Sequence, residues 1–115
     1  MTTLTNAQGC AVLRPLFEAR GFRIQENVPF AEGPVRFDID GWDPIHRVGY
    51  EFICSDSGDH DDLTPDEMAT LAEWMGEGRL AIFLIDQADV RGEAELAYAA
   101  KGFLDDVERR RQGLE

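Results

Sequence analysis

The sequence predicts an α/β (α+β) domain: a central mixed sheet, carrying an antiparallel three-strand meander, flanked by helices in the order αβββαβα. Three observations predict it. Two helix-start signals stand at Thr5-x-x-Gln8 and Thr64-Pro65-Asp66-Glu67. Val35, Phe37 and Ile39 alternate with Arg36, Asp38 and Asp40, and Val48, Tyr50 and Phe52 alternate with Gly49, Glu51 and Ile53. An unbroken apolar run, Leu80–Ile85, follows the second helix. At 115 residues, 43% of them hydrophobic and 30% charged, the chain has material for one core and one domain, residues 1–115.

The first helix should run from the capping box to about Arg20, where Gly21 supplies a left-handed stop. Cys10, Leu13, Leu16 and Phe17 form its apolar stripe, and Pro15 must kink it or mark a second start. Phe22–Phe30 is extended. Glu32-Gly33-Pro34 turns the chain into the Val35–Asp40 strand, and a turn around Asp43-Pro44 leads to Val48–Ile53. Ser55 to Asp62 is a polar loop. In the second helix Leu71, Ala72 and Met75 face inward, and Gly76 with Gly78 ends it. Leu80–Ile85 reads as a central strand, covered on its two faces by the first and last helices. The final helix, about Gly92 to Arg111, puts Leu96, Ala100, Phe103 and Val107 on one stripe.

Charge excludes several classes. Twenty-three acidic residues against eleven basic ones give a formal charge of −12, so unaided binding to nucleic acid or an anionic membrane is disfavoured. The partner this charge attracts is a basic protein surface or a cation. Cys10 and Cys54 lie far apart without CxxC spacing, which fits a reducing compartment and no disulfide framework. With no secretory leader pattern and no bilayer-length apolar run, a soluble, cytoplasmic protein is expected.

The carboxylates carry the main functional lead. If the hairpin pivots between Pro44 and Ile45, Asp38 pairs with Glu51, Asp40 faces Gly49 and Arg36 faces Ile53. Asp38, Asp40 and Glu51 then emerge on one face, opposite Val35, Phe37, Ile39, Val48, Tyr50 and Phe52. Like charges across a ladder repel, so a hard divalent cation or Arg36 would have to compensate. The alternative is a solvated polar strand face near a turn. Trp42, in that turn, is the candidate partner-contact residue. Asp56, Asp59, Asp61 and Asp62 lack EF-hand spacing and read as a solvated loop, and a zinc site from Cys10, His46, Cys54 and His60 would need four unpatterned ligands.

An αβββαβ order with an Asp on the second strand and a Glu on the third resembles the PD-(D/E)XK nuclease superfamily, the restriction-endonuclease-like fold. The resemblance spans about Thr5 to Phe103. It implies that Asp38 and Glu51 bind magnesium or manganese while a lysine two positions after the Glu activates water. Here that position is Ile53, and the one lysine of the chain is Lys101. Isoleucine can neither stabilise a developing phosphorane nor lower the pKa of water, and Arg36, the candidate replacement, is a poor proton carrier. The expectation is therefore a nuclease-like fold with its catalysis degraded. It would serve as a small acidic non-enzymatic interaction domain of inhibitor or immunity type, with no required cofactor. The alternative is a metal-dependent phosphodiesterase using Asp38, Asp40 and Glu51, with Arg36 as its cation.

Overall fold

The computed structural model describes residues 4–53 and 63–113. Its elements are α1 (Asn6–Glu18), β1 (Gln25–Glu32), β2 (Val35–Asp43), β3 (Val48–Ile53), α2 (Pro65–Gly76), β4 (Ala81–Asp86), a short 3-10 turn (Gln87–Asp89) and α3 (Glu93–Gly113). The strand order in the sheet is β1-β2-β3-β4, with the first three antiparallel and β4 parallel to β3. The predicted α+β class and element order hold.

Both capping boxes form. Thr5 Oγ1 accepts the Gln8 amide at 3.1 Å while Gln8 Oε1 accepts the Thr5 amide at 2.9 Å. Thr64 and Glu67 do the same at the start of α2. Pro15 lies inside α1 without ending it. Gly21, at φ +95°, then lets the Phe22 amide reach back to the Phe17 carbonyl.

Helices cover the sheet on both faces, but not as the apolar runs suggested. Leu13 and Phe17 of α1 pack with Leu96, Ala100, Leu104 and Val107 of α3 against Val48, Tyr50, Phe52 and Phe83. On the opposite face Leu71 of α2 packs against Phe30, Val35, Phe37, Ile39, Trp42 and Ile82. The first and last helices thus share one face, and α2 covers the other. Nor is β4 central: it is an edge strand. Its apolar run arises because Ile82 is buried toward α2 and Phe83 toward α1 and α3.

The strand alternation breaks once, at Asn27. This residue is left-handed, φ +53°, and pairing passes from Glu26↔Gly41 to Val28↔Ile39, omitting Asn27 and Asp40. Phe22 and Ile24 therefore turn toward α1 and α3, while Val28 and Phe30 turn toward α2, although all four have the same parity. The same fault lets Ile39 and Trp42 share the α2 face. Left-handed backbone at an asparagine costs less than at most residues, which lets the fault form here.

No helix among the described residues is long and apolar enough to cross a membrane.

Candidate functional site

The β2–β3 ladder pairs Gly41 with Tyr50, Trp42 with Gly49 and Asp43 with Val48. That register is two residues away from a pivot between Pro44 and Ile45, and it brings Asp40, not Asp38, level with Glu51. Because Phe37 and Ile39 pack toward α2 while Tyr50 and Phe52 pack toward α1 and α3, alternation sends Asp38 and Glu51 to opposite faces. The expected pairing of Asp38 with Glu51 on one face is thus corrected. Its cause is the fault at Asn27 and Asp40, which exchanges the two faces of β2. Asp38 stands exposed, opposite Pro29 of β1. Arg36 is exposed too, and its amide donates to Glu67 Oε2 at the start of α2 rather than facing Ile53.

Past Gly41 the two strands part, and side chains replace the ladder. The Asp40 amide donates to Glu51 Oε1 at 2.9 Å, and the Phe52 amide donates to Asp40 Oδ2 at 2.9 Å. Asn6, in the first turn of α1, donates its Nδ2 to Asp40 Oδ2 at 3.0 Å and to the Phe52 carbonyl at 3.2 Å. Cys10, one turn later, sits with its thiol 3.8 Å from Asn6 Oδ1. Glu51 is only 5% exposed, and its carboxyl lies within hydrogen-bonding reach of Asp40. Burial pushes the Asp40 carboxyl above its ordinary range, only partly offset by the Phe52 amide, Asn6, Glu51 and Cys10.

That use of the oxygens bears on a cation. Asp40 Oδ2 and Glu51 Oε1 already accept backbone amides, Asp38 points away, and among the described residues no three His, Cys, Asp or Glu side chains gather as a metal site. What the two oxygens do in this arrangement is join β2 to β3.

No family model, curated protein or solved structure matches the chain. The site is therefore read from its own chemistry.

Trp42 is not a surface residue. It lies in β2, 4% exposed, with its ring edge-on to Phe30 at 5.4 Å and Arg47 stacked over it at 5.6 Å. The turn proper begins at Pro44, which is why a tryptophan beside a turn signal is hidden. Tyr50 is fully buried against Phe17, at 5.0 Å between ring centroids, and its hydroxyl finds no hydrogen-bond partner among the described residues. Burial drives that hydroxyl's pKa upward. Cys54, Asp56, Asp59, His60, Asp61 and Asp62 lie outside the described residues.

Two residues escaped the sequence reading. Asn6 looked like an ordinary first-turn residue, and only its long-range bonds to Asp40 and Phe52 reveal its role. Asp43 is 1% exposed and organises the hairpin: it accepts the amides of Arg23, Ile45 and His46 and the His46 ring. Burial alone would raise its pKa, but those donors outweigh burial and hold it below the ordinary range. The Asp43-Pro44 turn signal was its trace in the sequence.

Proposed function

We propose that the protein is a small acidic, non-enzymatic interaction domain whose partner is a basic protein surface. The observation that carries this reading is the commitment of Asp40 and Glu51 to backbone amides at the parting of β2 and β3. Carboxylates spent on holding two strands are structural groups, and the neighbouring position of the nuclease motif is Ile53. The charge distribution supports the same reading. β3 and β4 run parallel, so their C-terminal ends, the first turn of α2 and the first turn of α3 share one pole. Asp66, Asp86, Asp89, Glu93 and Glu95 stand at that pole with one cation, Arg91, among them, and none of the five makes an ion pair with another described residue. Such a field steers a basic partner and raises its association rate.

The test is affinity capture from the native cell at low salt, run beside a variant carrying Asp86→Lys, Asp89→Lys and Glu93→Lys. The expected result is a captured protein with a basic surface, released by salt and lost with the variant. Capture indifferent to the charge reversal would refute the acidic pole as the contact.

One observation favours a second reading, a metal-dependent phosphodiesterase of the superfamily that the element order resembles: Asp40 and Glu51 lie together where β2 and β3 part. In that reading Asp40 takes the role first expected of Asp38.

A further inference from the structure

β4 ends the sheet on one side, and no described strand lies beyond it. The Ala81 amide donates to the Arg47 carbonyl at 2.9 Å, on the β3 side. Backbone groups alternate sides along a strand. Ala81, Phe83 and Ile85 therefore serve the ladder with β3, while Ile82, Leu84 and Asp86 turn their amides and carbonyls outward. Among these, the Ile82 amide meets the Met75 thioether at 3.4 Å, a flexible side chain that turns aside readily.

The two edges of the sheet are built differently. β1, at the other edge, carries Pro29, the left-handed Asn27 and the carboxylates Glu26 and Glu32. Proline, a backbone fault and charge are the devices that stop an edge from pairing with another chain. β4 has none of them within Ala81–Ile85, and Asp86 stands only at its end. An unguarded apolar edge is a template for a further strand.

The residues around β4 say which strand. Set against a second copy across a two-fold axis at Leu84, every outward amide faces an outward carbonyl: Leu84 lies opposite its counterpart, and Ile82 opposite Asp86. Phe83 then stands beside Ile85 of the second copy, both on the α1 and α3 face, as an apolar cross-strand pair. Charges beyond the strand match as well. Glu77 and Arg79 precede it, Asp89 and Arg91 follow it, and equal distances from Leu84 place Arg79 with Asp89 and Glu77 with Arg91. Glu77 and Arg79 already pair within one copy at 3.6 Å, so the match supplies second partners and requires no excess of either sign. The repulsion between two chains of charge −12 is screened beyond about 8 Å at physiological salt.

We propose that the protein forms a two-fold dimer through β4, in which antiparallel pairing about Leu84 doubles the sheet. The dimer stands whether or not the acidic pole binds a basic partner.

The test is sedimentation of the purified full chain at physiological salt, with amide hydrogen exchange followed by NMR across protein concentration. A reversible species of twice the monomer mass is expected. In it the Leu84 amide becomes protected as concentration rises, while those of Phe83 and Ile85 are protected throughout. Leu84→Pro removes an outward donor and no ladder bond to β3, and should leave a folded monomer. Arg79→Asp should weaken association about tenfold, because both copies carry the change, and adding Asp89→Arg should restore it. A monomer at concentrations up to about 1 mM would overturn the proposal. So would a dimer whose Leu84 amide exchanges freely, or one indifferent to Arg79→Asp. If Leu84→Pro fails to fold, exchange at Leu84 in the wild type decides.

Discussion

The Asp40 amide donates to Glu51 Oε1 at 2.9 Å, and the Asp40 carboxylate accepts the amide of the very next residue, Phe52, at the same distance. Two carboxyl side chains thus continue a ladder whose backbone pairing has stopped at Gly41 and Tyr50. The exchange satisfies amides that would otherwise be buried without acceptors.

Removing one of those acceptors should be costly. Asp40→Ala leaves the Phe52 amide and Asn6 without their shared oxygen, and a loss of about 2–3 kcal/mol in urea denaturation is expected. The pH dependence has a definite sign. Because the folded carboxyl titrates above its ordinary value of 3.8, its contribution is fully present below that pH and is lost as pH rises through the folded value. Relative to Asp40→Asn, which cannot titrate, the wild type should lose ground as pH increases over that window. A stability difference independent of pH would contradict the raised value.

Asp43 should behave in the opposite way. Its folded carboxyl is held below 3.8, so its contribution is present above that pH and disappears as pH falls through the lower folded value. Asp43→Ala should cost about 3 kcal/mol near neutrality, since buried amides lose a charged acceptor. The gap to wild type should close in strong acid, measured by thermal melting across pH.

Two glycines test the packing of the hairpin. A Cβ on Gly41 would stand 2.2 Å from the Tyr50 ring, and one on Gly49 would stand 2.2 Å from the Gly41 carbonyl oxygen. Gly41→Ala should destabilise by about 2–3 kcal/mol, and shortening the obstacle with Tyr50→Leu should recover part of that loss. Gly49→Ala meets backbone, so no side-chain truncation at Tyr50 should rescue it. Equal rescue of both variants would show that the strands can shift apart.

Nuclease activity is the sharpest functional discriminator. Purified wild type should cleave neither linear nor supercoiled DNA with magnesium or manganese. General acid–base groups contribute roughly 100- to 10,000-fold, and the chain has Ile53 at the position where the resemblance to the nuclease superfamily would place that group. Ile53→Lys supplies the missing cation without touching either carboxylate. Cleavage by wild type that disappears in Asp40→Ala or Glu51→Ala would establish the phosphodiesterase reading and end the non-enzymatic one.

The sequence by itself determined the order of elements, both capping boxes, the left-handed stop at Gly21 and the burial of Tyr50, because each depends on residues within a turn or on local alternation. Tertiary structure decided the rest. Alternation predicts a shared face for Asp38 and Glu51 only while it is unbroken, and one left-handed residue on the neighbouring strand, Asn27, breaks it. A one-residue fault exchanges the faces of a strand, since side chains alternate with a period of two. Likewise the apolar run of β4 specified two covered faces but not which helices cover them, or whether a further strand lies beyond. Burial on both faces looks the same at an edge as at the centre of a sheet. Asn6 joined the site only when α1 packed over the end of β3, a contact between residues 46 positions apart that no local pattern encodes.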